Sequence, residues 1–246
     1  MRGFTAGTPC RRCKPLNPHI HATVLNHLPA MSPPQLREHF LEAGSPHGTV
    51  VLNWRKTGPA EIVAYAVAYK NAAQSLIARL EGSNGYPDHC AFPIVFLYRH
   101  AIELYLKAFA FRSARALLVE SELEVTLPSL WREHSLPSLL KMADLVVRQL
   151  KPPAPSAIQH ALPSAAEFID QLHELDPGSY SFRYPVGTTG LPLFESTLRM
   201  NLLVFAQRAD SALDELSGAC IYLEERFIST TEIKLALAQL SEGGAR

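Results

Sequence analysis

The chain has 246 residues, 47% of them hydrophobic and only 19% charged, with 23 basic side chains balanced by 23 acidic ones. That length supports one sizeable core or two small ones, and the low charged fraction points to extensive burial or a partner interface. Zero formal net charge excludes bulk, nonspecific binding to duplex nucleic acid and leaves room only for a local basic groove. The four cysteines, Cys10, Cys13, Cys90 and Cys220, are too few and too scattered for a disulfide framework, so a reducing cytoplasm is expected. No apolar leader opens the sequence, and its most apolar helical stretch is interrupted by charges, so neither secretion nor a membrane span is expected.

Residues 1–31 are rich in Pro, His, Cys and Arg without helical or strand period, and read as a disordered or mis-annotated N-terminal tail. Within them Cys10 and Cys13, with His19 and His21, have zinc-ligand chemistry but lack a second closing pair, so no metal is expected. Residues 32–57 read as a short helix and connector, with Ser32 as cap, Pro33 at the first helical position and Gly44 as stop. "TVVLNW", 49–54, is a short extended candidate. A helical bundle is expected over 58–228, and a short helix and tail over 229–246.

Inside the bundle the first helix carries Ile62, Tyr65, Ala66, Tyr69, Ala73, Leu76, Ile77 and Leu80 at helical spacing and ends at "EGSNGYPD". The second spans roughly 91–117. The third starts after "WREHS" with Leu136, Leu139, Leu140, Ala143, Val146, Val147 and Leu150, and "KPPAPS" breaks it. A fourth restarts at Pro163 and runs through Phe168, Ile169 and Leu172 to "DPG". "YSFRYPVGTTG", 180–190, alternates polar and aromatic residues between glycines and reads as a hairpin or ordered loop. A long helix over about 192–226 comes next, with Phe194, Leu198, Leu202, Phe205, Ala209, Ala212, Leu216, Ala219 and Leu223 on one face. Ser229 and Glu232 have capping-box spacing, which predicts a separate last helix over 230–241. Helices joined by short breakers predict an all-α, antiparallel bundle of four to five helices with one short nonhelical loop at "FRYP".

The second helix contains "FLYRHAIELYLKAF". At about 100° per residue, Arg99, Glu103, Lys107 and His100 share one narrow stripe on an otherwise apolar cylinder. One reading is a helix-local ladder of i, i+4 ion pairs, each adding only a few tenths of a kcal/mol. The other is a specified cluster, because burying such charges costs energy on the kcal/mol scale unless each finds partners. The segment "DPGSYSFRYP" offers Asp176, Arg183 and Tyr184, and Arg183 is the natural bidentate partner for Glu103. Asp176-Pro177-Gly178 is equally good turn chemistry on its own. His134 either joins the cluster or helps to cap the third helix. Cys90 and Cys220 read as small buried hydrophobes. Phosphate-loop, dinucleotide and hydrolase motifs are lacking, and no cofactor is expected.

"YRHAIELYLKAF", then "EHSLPSLL", then "ELDPGSYSFRYP" ahead of a long amphipathic helix, resembles a branch of the HEPN-like superfamily over about residues 59–226. The resemblance implies a bacterial or archaeal all-α domain of four or five helices, often dimeric, in toxin–antitoxin or phage-defence systems. It implies a homodimer, RNA as a ligand, and an antitoxin or nucleotidyltransferase-like protein as a partner. Catalytic members of the superfamily cut RNA without metal, using Arg-x(4–6)-His on one helix. Here Arg99 and His100 are adjacent, and no predicted helix offers that interval. Two functions therefore stand. In the first, the cluster engages RNA or nucleotide phosphate, with His100 and Arg99 as the catalytic candidates of an endoribonuclease. In the second, the chain is a noncatalytic dimeric interaction module whose cluster is a structural buried network. They differ in one observable: an RNA site leaves Arg99, Lys107 and Arg183 partly unpaired, whereas a structural network pairs them all with Glu103, Asp176 or backbone carbonyls.

Overall fold

The computed structural model describes residues 50, 58–81, 88–121, 130–151, 153–194 and 196–243. The expected N-terminal tail, the zinc-ligand candidates, the short helix and connector and, apart from Val50, the extended candidate lie outside the described residues. The chain divides into two units, Met1–Trp54 and Arg55–Arg246, and the second carries every described helix.

Among the described residues this second unit is an all-α bundle of five α-helices: α1 (Ile62–Glu81), α2 (Ala91–Ser121), α3 (Leu136–Val147), α4 (Ser156–Leu175) and α5 (Leu202–Gly243). Helix α2 is central, packing against α1, α3 and α5, while α4 closes the far side against α3 and α5. Its sequence explains that position. Ile94, Val95, Tyr98, Ile102, Tyr105, Leu106 and Phe109 share one broad buried face, and the buried Arg99, Glu103 and Lys107 beside it carry burial around more than half of the cylinder, as a helix enclosed by neighbours requires. Ala101, Ala108 and Ala110 are buried too, and their short side chains let neighbouring elements come close. No helix among the described residues is long and apolar enough to cross a membrane.

Helix α1 buries Ile62, Ala66, Ala73, Ile77 and Leu80, while Tyr69 and Leu76 pack at its edge and Tyr65 stays exposed. Helix α3 begins where Ser135 caps it, its Oγ accepting from the Ser138 N–H at 3.4 Å, with a proline in the first turn. Its buried face is Leu136, Leu139, Ala143, Val146 and Val147, and Leu150 is buried just beyond its end.

Three boundaries differ from expectation. Helix α4 starts at Ser156, and Pro163 lies inside it rather than opening it. Burial of Ala161 and Leu162 before the proline and of Ala165, Phe168, Ile169 and Leu172 after it carries the helix through the lost hydrogen bond. Helix α5 starts at Leu202 rather than near 192, because Asn201 Oδ1 accepts from the N–H groups of Leu203 and Val204, both at 3.1 Å. Phe194 instead packs its ring on Phe182 at 5.3 Å, ahead of the helix. At the other end, residues 230–241 continue α5 without a break. Ser229 and Glu232 lie mid-helix, where the local cap signal gives way to continuing backbone bonds, and Thr231 Oγ1 donates back to the Phe227 carbonyl at 2.7 Å.

From the "FRYP" segment to Asn201 the described residues are nonhelical apart from single turns. Their one bridge joins Val186 to Pro192, closed by Gly187 N–H to the Leu191 carbonyl at 2.8 Å. Gly190 supplies the left-handed residue of that turn, with φ of 78°.

Candidate functional site

The stripe on α2 is buried. Arg99, Glu103 and Lys107 are all nearly or completely out of contact with solvent. Along the helix Lys107 Nζ donates to Glu103 Oε1 at 2.9 Å, and Arg99 Nη1 donates to Glu103 Oε2 at 3.3 Å. The ladder is therefore present, but it does not stand alone. From the segment ahead of α3, His134 Nδ1 meets Glu103 Oε1 at 2.9 Å, and the His134 carbonyl accepts from Arg99 Nη2 at 3.1 Å. From the end of α4, Asp176 Oδ2 lies 3.4 Å from Arg99 Nε.

Asp176 also shapes the adjoining loop. Its Oδ1 accepts from the backbone N–H groups of Tyr180, at 2.8 Å, and Ser181, at 2.9 Å. The carboxylate thus folds residues 177–181 over the end of α4 while its second oxygen faces Arg99. Ser179, inside that turn, takes the left-handed conformation with φ of 62°. On the α3 side, Glu133 Oε1 accepts from the N–H groups of His134, at 2.9 Å, and Ser135, at 2.8 Å. One set of contacts accordingly joins α2, the entry to α3 and the exit from α4.

Two cations, Arg99 and Lys107, face two carboxylates, Glu103 and Asp176. Burial alone would push the Glu103 carboxyl upward. The hydrogen bond and charge of Lys107, followed by those of His134, outweigh it and hold Glu103 below its ordinary range. Burial lowers the Arg99 guanidinium from its usual value, opposed by Asp176 and then Glu103. Each buried ion carries a desolvation penalty of several kcal/mol, so this arrangement holds only because nearly every charged atom is met.

Arg183 does not hold Glu103. Its Nε donates to the Ser179 carbonyl within its own loop, and its guanidinium lies over the rings of Tyr180, Phe96 and Tyr184 at 5.2, 5.4 and 5.7 Å. The loop contributes an anion to Arg99 rather than a cation to Glu103. The reason is electrostatic: Arg99 and Lys107 already saturate Glu103, and the charge of Arg183 opposes that of Arg99. Tyr184 is exposed, with its N–H bonded to the Tyr180 carbonyl at 2.9 Å, and its ring is outside the ion network. His134 joins the network, and capping of α3 falls to Ser135 and Glu133.

His100 lies toward α1. Its ring meets Tyr69 edge-on at 4.4 Å and stacks on Phe96 at 5.8 Å. Burial pushes its pKa down, and that outweighs the opposing charge of Glu103. Adjacent in sequence, Arg99 and His100 thus project into different surroundings, one ionic and one aromatic.

A second polar group escaped sequence reasoning. Asp210 on α5 accepts from Gln74 Nε2 at 2.9 Å and from the Tyr98 hydroxyl at 3.2 Å, joining α1, α2 and α5. Burial, reinforced by Asp210, raises the Tyr98 phenol well above its ordinary value. Cys220 is buried against α2, with its thiol pushed up to about 12 by that burial, and Cys90 is partly buried. Among the described residues no group of three or more His, Cys, Asp or Glu side chains is placed to hold a metal ion. Compared with known proteins, the chain matches no family model, no curated protein and no solved structure.

Proposed function

We propose that this chain is a noncatalytic interaction module of the HEPN-like kind, acting in the cytoplasm as a homodimer within a toxin–antitoxin or phage-defence system. The resemblance of its helix order and its "RHAIELYLK" and "FRYP" stretches to that superfamily supports the setting. One observation carries the noncatalytic assignment. Arg99 and Lys107, the cations that would meet a phosphate, are buried and ion-paired to Glu103 and Asp176. His100, the expected base, packs its ring against Tyr69 and Phe96. In this reading the network fixes the "FRYP" loop to the bundle, and an antitoxin or nucleotidyltransferase-like protein is the partner.

A second reading, engagement and cleavage of RNA, draws on His134. Its side chain is 64% exposed, yet its ring is tied to buried Glu103 and its backbone to Arg99. An ionised carboxylate can only accept, so Nδ1 carries a proton, and Nε2 offers a lone pair whenever the ring is neutral. That is the arrangement of an oriented base. Incubating the full chain with end-labelled single-stranded RNA in chelator separates the two readings. The module reading expects intact RNA. Cleavage abolished by His134→Ala, in a variant that retains its fold, would replace it with the RNase reading.

A further inference from the structure

Three phenylalanines from distant parts of the chain form an aromatic ridge, with Phe182 buried, Phe194 half-buried and Phe92 exposed. Phe92 opens α2, Phe182 belongs to the "FRYP" loop, and Phe194 lies just past the bridge turn. Their ring centroids are 6.4 Å apart for Phe92 and Phe182 and 5.3 Å for Phe182 and Phe194. A cleft of about 540 Å³ lies against the ridge and is also lined by Leu198 and Arg199. A second cleft, of about 330 Å³, lies against the same three rings and is also lined by Arg183 and Tyr184. Around them Tyr180, Tyr184, Val186, Leu191 and Leu198 are exposed. Apolar side chains gathered in this way, with tyrosine and arginine among them, have the composition of interface hot spots.

Among the described residues the two clefts are lined by two cations and one carboxylate. Arg112, Arg115, Arg148 and Arg208 each have a carboxylate partner on the protein. Arg183 and Arg199, one in each cleft, have none among the described residues, and both are exposed. Asp88, lining the first cleft, is the one carboxylate among the described lining residues of the two. Arg183 is moreover held in place, by the Ser179 carbonyl and three aromatic rings, so little freedom is lost when it meets an anion. Two cations are too few for a nucleic-acid track, which needs a run of phosphate contacts. They suit a protein segment that brings one or two carboxylates beside apolar anchors.

We infer that the Phe92–Phe182–Phe194 ridge and its two clefts form a docking site for an acidic, aromatic- or leucine-bearing peptide segment of a partner protein, with Arg183 and Arg199 receiving its carboxylates. The inference rests on the reading of this chain as an interaction module and names the surface and the chemistry of the partner. It can fail by itself: RNA can stay intact in the cleavage assay while no peptide binds.

The test is selection of a phage-displayed library of random dodecapeptides on the immobilised full chain, run in parallel on the Arg183→Gln/Arg199→Gln variant. The expected result is a consensus pairing Asp or Glu with Phe, Trp or Leu, which disappears on the variant. A synthetic peptide of that consensus, followed by fluorescence anisotropy, should bind the variant at least roughly tenfold more weakly, and its Asn/Gln counterpart should lose a similar factor on the unchanged chain. Circular dichroism of the variant confirms its fold, since neither arginine is in the core. The inference is overturned by the lack of any convergent consensus, by a consensus without acidic residues, or by one retained on the variant. It is equally overturned if oligouridylate displaces nothing but itself binds this face, or if a homodimer that Leu198→Glu dissociates occupies it.

Discussion

Arg99 Nε and Asp176 Oδ2 face each other at 3.4 Å, and neither atom has a hydrogen-bond partner among the described residues. Both side chains are shut off from water, so each atom's compensation for lost hydration is the charge opposite. The carboxylate's other oxygen is committed to two backbone N–H groups of the loop. A change at Asp176 therefore acts on α2 and on the "FRYP" loop together.

Asp176→Asn keeps the amide-accepting oxygen and removes the charge that faces Arg99. The expected loss is roughly 3–5 kcal/mol, the cost of breaking a buried pair by removing one partner. Adding Arg99→Met should recover part of it, with a coupling above roughly 1 kcal/mol in a double-mutant cycle. Urea unfolding of the four proteins measures this. Additive losses below about half a kcal/mol each would reduce the contact to a passive neighbour.

Glu103 links stability to pH. Its folded pKa lies below the unfolded value, so its contribution is complete above the ordinary carboxylate range and is lost as pH falls through the folded pKa. Urea midpoints of the protein should fall between about pH 6 and about pH 3, and Glu103→Gln should remove part of that slope while lowering stability at neutral pH.

His100 gives a separate window. Burial lowers its folded pKa, so the folded state prefers the neutral ring and stability falls as pH drops below the unfolded value of about 6.5. His100→Phe keeps the contacts with Tyr69 and Phe96 and cannot ionise. It should be at least as stable as the parent at neutral pH and flatter between about pH 7 and about pH 5. Thermal melts across that interval decide it; an unchanged slope would mean that the ring is hydrated in both forms.

The two ends of α5 predict opposite sensitivities. Asn201→Ala removes the acceptor for two N–H groups and should cost about 1 kcal/mol. Ser229→Ala, at an exposed mid-helix position, should stay within about half a kcal/mol. A comparable loss at Ser229 would indicate a helix start there.

Pro163 is exposed within α4, and its ring leaves the Gln159 carbonyl without its helical donor. Pro163→Ala should raise stability by about 1–3 kcal/mol, less whatever the freer unfolded chain takes back. A lowered melting temperature would show that α4 is built around the proline.

Periodicity and breakers acting within a few residues were enough to locate α1, α2 and α3. They also gave the burying faces of Ala66 and Ala73, of Leu136 and Leu139, and of Ala209 and Leu216. The polar stripe was legible as well, since Arg99, Glu103 and Lys107 repeat at helical spacing in an apolar helix. Local signals failed where a longer-range effect outweighed them. Pro163 did not open α4 because buried side chains on both sides carry the helix past it. Phe194 and Leu198 fit the helical spacing of α5, but Asn201 caps the helix seven residues later than Phe194, while Phe194 finds Phe182. The membership of the ion network was beyond sequence altogether. Spacing orders side chains around one helix, but it cannot say which carboxylate a neighbouring element delivers to it. Both Asp176 and Arg183 lay on the right segment. Only the fold of the loop, with Asp176 bound to the N–H groups of Tyr180 and Ser181, sends the anion inward to Arg99 and leaves Arg183 outside on its aromatic rings.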